Sequence, residues 1–378
     1  MIRYAVIGIG RMGSVHANNL AKGRIKGARL VAVCDTDTQK LKDFGAKFPK
    51  VALFEDHKTM LSSVKPDAVI VATPHYSHVE LVCDALNAGV NVLSEKPAAV
   101  EACEAQKAIE LAKSLPHLKY GIMYNQRTNR MYAYAKKLLD SGALGEIKRV
   151  TLTITDWYRS QHYYDQGGWR ACWCGEGGGL LINQCVHQLD VLQWLTGMPV
   201  FLTAWAATKN RDITVENDVV AIMDYANGAK CVFTASGHEL NGTNLLEIAG
   251  DKGRITIGKF KMKYLKFAKS ETEVNATTTK GYGRSPYKVK KLTYGIRNIL
   301  SELRTRGQQA NIIRNFTNCL LGKAELIAPG SEGIKALSII NAIYLSAYNG
   351  NKKVELPLDY NEYCKLLQKL KEEEKIQQ

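Results

Sequence analysis

The sequence predicts an α/β protein with an N-terminal parallel sheet flanked by helices, followed by an α/β domain with an open, mostly antiparallel sheet. Residues 2–120 alternate apolar strands, rich in Val, Ile and Ala, with helical stretches of roughly 10 to 15 residues, which is the pattern of βαβ units. After residue 127 the strands partly alternate polar with apolar residues and are joined by turn signals such as Asn227-Gly228. The change of pattern therefore predicts two domains.

The first domain is predicted over residues 1–122 and the second over residues 123–378, with the C-terminal helices free to pack back on the first. The 378 residues suit two or three domains at about 150 residues each. The first-domain strands are YAVIGIG, RLVAVCD, AVIVATP and NVLSEK, with helices near 12–23, 37–48 and 78–88 between them. The second part is predicted as a helix near 129–142, strands in IKRVTLTITDWY, FLTAWAAT, DVVAIMDYA, AKCVFTAS and LLEIAGDKGRITIG, and helices near 310–321, 331–348 and 359–375.

The composition indicates a globular protein of the cytoplasm. Hydrophobic residues make up 46% and charged residues 23% of the chain, and no apolar run approaches the roughly 20 residues that span a bilayer. MIRYAVIGIG enters a strand at once, so no signal peptide is expected. The nine cysteines are an odd, scattered set that favours free thiols. Cys172 and Cys174 lack partners at zinc spacing, so we expect no metal.

The net charge of +15 is concentrated between Lys259 and Arg314, where fourteen basic residues face three acidic ones. Such a stretch could attract nucleic acid, an acidic membrane or an anionic substrate. It has no finger spacing, RNP-type sequence or heptads, so we interpret it as a solvated basic surface and expect neither a nucleic-acid nor a membrane partner.

A glycine turn follows the first strand and opens the first helix. In Gly8-Ile9-Gly10-Arg11-Met12-Gly13 the first glycine makes the tight turn, the second admits a pyrophosphate and the third allows close helix packing. Free N–H groups at the helix start attract the phosphates. The alternative is a glycine turn that binds nothing.

Asp35 ends the second strand about 20 residues downstream, where a carboxylate accepts hydrogen bonds from the adenosine ribose. A carboxylate at this point repels a 2′-phosphate, so the sequence predicts NAD, with NADP the less favoured cofactor. Arg11 and Lys40 keep NADP open as an alternative.

These features occur in one order with Ala72-Thr73-Pro74-His75, Glu95-Lys96-Pro97 and a glycine-rich stretch that leads into a helix containing a histidine. This order resembles the Gfo/Idh/MocA family of glucose–fructose oxidoreductase and inositol dehydrogenase, from residue 2 to about 350. The resemblance implies a Rossmann domain, NAD(P)-dependent oxidation of a sugar or cyclitol hydroxyl, and a catalytic role for Lys96. It also implies further cofactor-binding residues, namely Thr73, Pro74, His78, Glu95, Lys96 and Asn125.

Physical reasoning gives Lys96 a matching role. Parallel strands point their C-terminal ends at the ligand crevice, so a lysine after NVLSE reaches the nicotinamide edge. Its ammonium can stabilise negative charge on the substrate oxygen, and Pro97 restricts the backbone beside it. The alternative is a solvated Glu-Lys pair at a strand end.

The stretch from Gly177 to Leu195 is predicted as a glycine turn followed by a helix. At about 100° per residue, Asn183, His187, Asp190 and Trp194 share one arc, opposite an apolar face. We predict His187 as general base, with Asn183 as a further catalytic residue, although the family pattern has an aspartate at position 183. A buried structural histidine is the alternative.

A segment rich in aromatic residues, 156–173, is predicted to bind the substrate. Its six aromatic rings, with interleaved Arg, Asp, Gln and His, can stack on a pyranose and hydrogen-bond its hydroxyls. Domain packing or an oligomer contact could use the same segment. The predicted substrate-binding residues are Lys96, Tyr124, Arg127, Asp156, Arg159, Trp169, Asn183 and His187.

The leading hypothesis is an NAD-dependent dehydrogenase that oxidises a secondary ring hydroxyl of a sugar, glycoside or cyclitol to a ketone, for example at C3 of a glucoside. An alternative is a redox-neutral glycoside-cleaving or lyase enzyme that uses tightly bound NAD through a transient ketone. A third is a non-catalytic NAD-binding sensor or basic-surface binder. The family resemblance further implies a homo-oligomer, a dimer or a tetramer, with a carbohydrate or glycoside as the small-molecule partner.

Overall fold

The computed structural model describes residues 1–293 and 307–377, and these divide into two compact units. Within the described residues, the first unit comprises 1–128, 175–177 and 307–337, and the second comprises 129–174, 178–293 and 338–377. Sequence reasoning drew one boundary after residue 122. The observed division is interleaved, because residues 307–337 belong with the first unit although they come late in the chain.

The first unit is built on a six-stranded parallel sheet with the strand order β3-β2-β1-β4-β5-β6. This is the order of a Rossmann fold, in which the strand sequence reverses beside β1. The strands are β1 (Ile2–Ile7), β2 (Ala28–Cys34), β3 (Ala52–Phe54), β4 (Ala68–Val71), β5 (Asn91–Ser94) and β6 (Tyr120–Ile122). The helices between them are α1 (Arg11–Ala21), α2 (Thr38–Lys47), α3 (His57–Val64), α4 (His78–Asn87) and α5 (Ala102–Ser114).

A late helix, α10 (Gly307–Leu320), completes the core of the first unit. Its Ile313 and Phe316 are buried in one cluster with Val6 of β1 and Ile70 of β4. The apolar contact explains why this helix belongs with the first unit rather than with its neighbours in sequence.

The second unit contains a nine-stranded sheet with the order β14-β13-β12-β11-β7-β10-β9-β8-β15. All of its pairs are antiparallel except β7 with β10, so the prediction of an open, mostly antiparallel sheet is confirmed. The strands are β7 (Ile147–Ile154), β8 (Phe201–Ala207), β9 (Asp218–Asp224), β10 (Lys230–Ser236), β11 (Asn244–Gly250), β12 (Gly253–Gly258), β13 (Lys261–Phe267), β14 (Tyr287–Thr293) and β15 (Val354–Glu355). The remaining helices are α6 (Arg130–Asp140), α7 (Gln161–Asp165), α8 (Val186–Thr196), α9 (Glu271–Thr277), α11 (Gly333–Ala347) and α12 (Tyr360–Gln377).

Two local predictions were wrong in detail. The strand predicted to run through Tyr158 ends at Ile154, which leaves the aromatic segment as loop and short helix. The helix predicted from the glycine turn onward begins with a π-helical turn, Leu181–Cys185, and becomes α-helical only at Val186. The wider turn changes the angular relation between Asn183 and the residues that follow it.

The cysteines agree with the prediction of free thiols, since all nine are unbridged. No helix in the described part of the chain is both long and apolar enough to cross a bilayer. Part of the basic stretch between residues 259 and 314, from 294 to 306, lies outside the described residues.

Candidate active site

The glycine loop has the geometry that a dinucleotide requires. Gly8 has a φ of +83°, and a Cβ there would lie 2.7 Å from the carbonyl oxygen of Ala72. A Cβ on Gly13 would lie 1.8 Å from the oxygen of Gly8, so helix and loop are in contact. At Gly10 a Cβ would meet nothing within 4 Å, and no side chain caps α1. The open approach and the uncapped helix start fit a pyrophosphate.

Asp35 fixes the glycine loop from the end of β2. Its Oδ2 accepts the N–H of Ile9 at 2.7 Å, and its Oδ1 accepts the N–H of Asp37 at 2.9 Å. Each carboxylate oxygen keeps a lone pair for a ribose hydroxyl. The ammonium of Lys40 pairs with Asp37 at 3.0 Å, so it is held at the same end of the sheet.

Asp35→Asn is expected to weaken NAD binding about tenfold or more and to reduce the preference for NAD over NADP. An amide oxygen can still accept the Ile9 N–H, but it carries no charge to repel a 2′-phosphate or to strengthen ribose hydrogen bonds. Titration of both cofactors into the purified variant checks this, with the exposed Asp43→Asn as control. An unchanged ratio of the two affinities would contradict the ribose assignment.

His78 joins the loops that follow β4 and β5. Its Nδ1 lies 2.7 Å from the carbonyl oxygen of Pro97, and its Nε2 lies 2.9 Å from that of Thr73. Burial lowers the pKa of His78, and the two carbonyl oxygens oppose this effect. With its pKa lowered, the neutral ring carries one N–H, which it donates to one of these two carbonyl oxygens. His78 therefore links the two loops, and the cofactor contact that the family resemblance implies stays a prediction.

Glu95 connects the strand end before Lys96 to the cofactor helix. Its Oε1 lies 2.7 Å from Nε2 of His16, a wholly buried residue of α1, and its Oε2 accepts the backbone N–H of Lys96 at 3.2 Å. Lys96 itself is half-buried, two residues after the C-terminal end of β5. The lysine backbone is therefore tied, through one carboxylate, to the helix that begins at the glycine loop. Sequence reasoning missed His16, whose signal was a histidine on the otherwise apolar face of α1.

The segment after β6 is buried. Tyr124 is wholly buried and donates to the carbonyl oxygen of Gly333 at 3.3 Å, and Arg127, 3% exposed, donates to Ile327 and Glu332. Both side chains thus make hydrogen bonds within the first unit, and the substrate-lining role that the sequence predicts for them stays a prediction. Asn125 donates to Gln308 at 3.5 Å, while its buried Oδ1 has no hydrogen-bond partner. An amide oxygen in that state remains suited to the predicted cofactor contact.

A buried carboxylate, which the sequence did not reveal, accepts backbone N–H groups where the helix that carries His187 begins. Glu216, wholly buried, accepts the N–H groups of Gly179 at 3.0 Å and Leu181 at 2.8 Å and the hydroxyl of Tyr344 at 3.0 Å. A Cβ at Gly179 would lie 2.1 Å from the Glu216 carbonyl oxygen. Glycine is therefore required at this point, and the carboxylate satisfies N–H groups at the helix start as a cap would.

Asn183 and His187 are both half-buried beyond this turn. Asp190 was predicted on the same arc, but it is wholly buried and accepts a hydrogen bond from Gln193 at 2.9 Å. Of the residues predicted on the polar arc, Asn183, His187 and Trp194 are half-buried and Asp190 is wholly buried. The π turn changes the position of Asn183 relative to the other three residues, which all lie within α8.

The burial of Glu216 predicts that the stability of the protein depends on pH. Burial raises the pKa of Glu216 from 4.5 to about 7, against the opposing hydrogen bonds. A carboxyl group with a raised pKa stabilises the folded state below its unfolded pKa, and that contribution is lost as the pH rises through 7. Between pH 5 and pH 8 the free energy of unfolding of the wild type should therefore fall relative to that of Glu216→Gln, by up to roughly 3 kcal/mol. Denaturant unfolding at both pH values measures this.

The matched control for Glu216 is Glu239→Gln, which removes an exposed carboxylate from the same unit. Its difference from wild type should stay constant across the same pH range. If the Glu216→Gln difference were equally constant, the carboxyl would not titrate in that window.

The predicted substrate-binding residues of the aromatic segment lie in two different local environments. The carboxylate of Asp156 accepts from Asn244 at 3.3 Å and lies 3.6 Å from the ammonium of Lys259. Arg159 and Trp169 belong instead to a set of stacked rings and guanidinium groups around Tyr163. Tyr163 is also 3.4 Å from Nε2 of Gln184, next to Asn183, so the segment is linked to the histidine helix.

A Rossmann sheet that presents a lysine beside its dinucleotide loop is the architecture of an NAD-dependent dehydrogenase acting on CH–OH groups. The chain belongs to the Gfo/Idh/MocA oxidoreductase family. Residues 2–120 match the model described as the oxidoreductase family, NAD-binding Rossmann fold, and residues 132–256 match the GFO/IDH/MocA C-terminal domain. The family predicted from the motifs is confirmed, and so is NAD as the cofactor.

Individual relatives are distant. The inositol 2-dehydrogenase of Rhizobium meliloti (strain 1021) is 24% identical over 90% of this chain and 95% of its own length. A 1-carboxy-3-chloro-3,4-dihydroxycyclohexa-1,5-diene dehydrogenase of Comamonas testosteroni is 28% identical, and that match spans 63% of this chain and 58% of the relative. The crystal structure of the WlbA dehydrogenase from Bordetella pertussis, in complex with NADH and UDP-GlcNAcA, is similar with a TM-score of 0.76 and 27% identity, over 95% of this chain and 99% of that one.

Proposed function

We propose that this enzyme oxidises a secondary ring hydroxyl of a sugar, glycoside or cyclitol to a ketone with NAD, for example at C3 of a glucoside. The observation that carries the proposal is Lys96, two residues after β5, at the strand ends where a Rossmann sheet binds its dinucleotide. The names of relatives such as the inositol 2-dehydrogenase of Rhizobium meliloti support a ring alcohol as substrate.

When bound, NAD supplies the hydride acceptor. In this proposal His187 is the general base that takes the hydroxyl proton. The Lys96 ammonium stabilises negative charge on a substrate oxygen. Asn183 orients the substrate but cannot hold a charge, unlike the aspartate of the family pattern. Trp169 offers an aromatic face for the apolar side of a sugar ring.

The cofactor is held, in this proposal, by the glycine loop from Gly8 to Gly13 with Asp35 on the ribose. Thr73, Pro74 and Asn125 face the remaining part of the dinucleotide. His78 and Glu95 act through the backbone, because their hydrogen bonds fix the loops on either side of Lys96.

The test is incubation of the purified protein with NAD and a panel of hexoses, inositols and glucosides. Absorbance at 340 nm follows NADH, while mass spectrometry follows loss of two hydrogens from the substrate. NADH and a matching ketone that accumulate together support the proposal. A glycoside consumed without NADH would overturn it in favour of redox-neutral cleavage through a transient ketone.

We also propose that the protein is a cytoplasmic homo-oligomer, a dimer or tetramer that uses the sheet of the second unit. Three large apolar side chains are exposed on adjacent strands: Trp205 of β8 (47%), Ile222 of β9 (42%) and Val232 of β10 (38%), with Ile222 directly opposite Val232. Contiguous exposed apolar residues favour association. Light scattering measures the mass, and a monomer at micromolar concentration would contradict the proposal.

A further inference from the structure

Three arginines surround the aromatic segment of the second unit and form, with its rings, an arginine–aromatic cluster. The cluster is defined by the residues Trp157, Tyr158, Arg159, Tyr163, Trp169, Arg170 and Arg211. The guanidinium carbon of Arg159 lies 4.9 Å from the centre of the Tyr163 ring, and that of Arg170 lies 5.6 Å from the same ring. Two cations therefore share one aromatic residue, and Arg211 stacks on Tyr158 at 5.2 Å.

The cluster has no counter-ion of its own. Among residues 1–293 and 307–377, no carboxylate lies within 4 Å of the guanidinium groups of Arg159, Arg170 or Arg211. The acidic residues of the same segment are engaged elsewhere, since Asp156 bonds to Asn244 and lies near Lys259, and Asp165 accepts from Gln161 at 2.9 Å. Three neighbouring cations without an anion repel one another, and a bound anion would relieve this repulsion.

Several buried donors in the cluster also lack acceptors. Nε of Arg159, Nη2 of Arg211 and Nε1 of Trp157 are buried and have no hydrogen-bond partner. All three atoms can only donate, so what they require is an acceptor. Such groups are rarely left unsatisfied in folded proteins, so these three donors can hydrogen-bond to an acceptor on a bound ligand.

The arginines are held in place by hydrogen bonds to backbone carbonyl oxygens and to the hydroxyl of Tyr163. Nη1 of Arg159 donates to the carbonyl oxygen of Tyr158 at 2.9 Å, and Nε of Arg211 donates to that of Arg159 at 2.6 Å. Nη1 of Arg170 donates to the hydroxyl of Tyr163 at 2.9 Å. A guanidinium fixed in this way loses little freedom when it binds, and its planar fork matches a carboxylate or phosphate.

We propose that the arginine–aromatic cluster binds an anionic group of the substrate, a carboxylate or a phosphate, so that the preferred substrate is an acidic sugar rather than a neutral one. This inference rests on the proposed function and narrows its substrate class. The cluster reaches the histidine helix through the contact of Tyr163 with Gln184, and the net charge of +15 would attract such a substrate from a distance.

The experiment measures binding by calorimetry to the full chain saturated with NAD. The probes are glucuronate, glucose 6-phosphate and glucose, which separate a carboxylate from a phosphate and both from a neutral ring. We expect one of the two anions to bind at least tenfold more tightly than glucose, with an affinity that falls as salt is raised.

Variants assign that preference to the cluster. Arg159→Gln and Arg211→Gln should each lose about tenfold or more of the affinity for the preferred anion while affinity for glucose changes little. Arg159→Lys, which keeps the charge and the stem, should lose less than Arg159→Gln. Arg149→Gln, an exposed arginine of β7, serves as matched control and should bind as wild type does. A thermal melt of each variant establishes that it is folded.

The inference is overturned if neither anion binds more tightly than glucose, or if the arginine variants weaken glucose and the anions equally. Its failure can be told apart from that of the proposed function. Arginine-dependent binding of an anion without NADH formation would keep the inference and reject the dehydrogenase activity. Oxidation of neutral glucosides with no arginine dependence would do the reverse.

Discussion

Lys96→Ala is expected to lower kcat by about a hundredfold to a thousandfold while leaving the affinity for NAD within about threefold. The ammonium acts on charge that develops only as the hydroxyl proton and the hydride leave, so its loss is felt in the transition state rather than in cofactor binding. The backbone contact between Lys96 and Glu95 uses the main-chain N–H, so alanine preserves it. Steady-state assays at saturating substrate measure kcat, and titration of NAD into the protein measures its affinity.

Two further variants sharpen the Lys96 prediction. Lys113→Ala removes an exposed lysine of α5 in the same unit and should leave turnover unchanged. Lys96→Arg keeps a positive charge on a longer, planar head, so it should recover part of the lost rate. A Lys96→Ala enzyme as fast as wild type would return this lysine to the role of a solvated residue at a strand end.

Most of the fold could be predicted because its signals are local. The strands YAVIGIG and AVIVATP are continuous apolar runs bounded by glycine and proline, and each became a buried strand of the parallel sheet. The placement of α10 was not accessible in the same way. Its packing against β1 depends on Phe316 and Ile313 meeting residues some 300 positions away, and no periodicity encodes such a partner.

The candidate site also contains residues that local sequence signals predict and residues whose role depends on tertiary contacts. The glycine loop and Asp35 lie on adjacent segments of one βαβ unit, so their spacing alone indicated a common ligand. Glu216 and Arg211 carry no motif, because each acts on a segment that it meets only after folding: Glu216 on the turn at Gly179, Arg211 on the backbone of Arg159. A buried acid in the charged tail, Glu374, accepts the backbone N–H groups of Trp173 and Cys174 at 2.8 Å and was equally hidden.

The π turn shows a different limit of sequence reasoning. Periodicity at 100° per residue placed Asn183 on one arc with His187, yet a helix that widens at Leu181–Cys185 does not follow that period between these two residues. The carboxylate of Glu216 accepts the N–H groups of both Gly179 and Leu181 at the start of this turn. The sequence around Gly179 does not encode this tertiary contact, so the geometry of the turn that leads to His187 was not accessible from the local pattern.

His187→Ala is expected to lower kcat by about a hundredfold to ten-thousandfold, because removing a general base leaves the hydroxyl proton to water. Imidazole added to the assay should restore part of the lost rate, since a free base can occupy the space of the deleted ring. His117→Ala, which removes an exposed histidine of the first unit, should be as active as wild type and indifferent to imidazole. Rates measured with and without imidazole, at saturating NAD, give both results.

Asn183 decides how the His187 result is interpreted. In the family pattern an aspartate at this position shares the proton path, whereas asparagine can only orient the substrate or the ring, so His187 should carry proton removal alone in this chain. Asn183→Ala is then expected to raise KM more than it lowers kcat, and imidazole should not rescue it. A His187→Ala enzyme that kept its rate while Asn183→Ala lost kcat would place the proton path elsewhere, and the histidine would become a packing residue of α8.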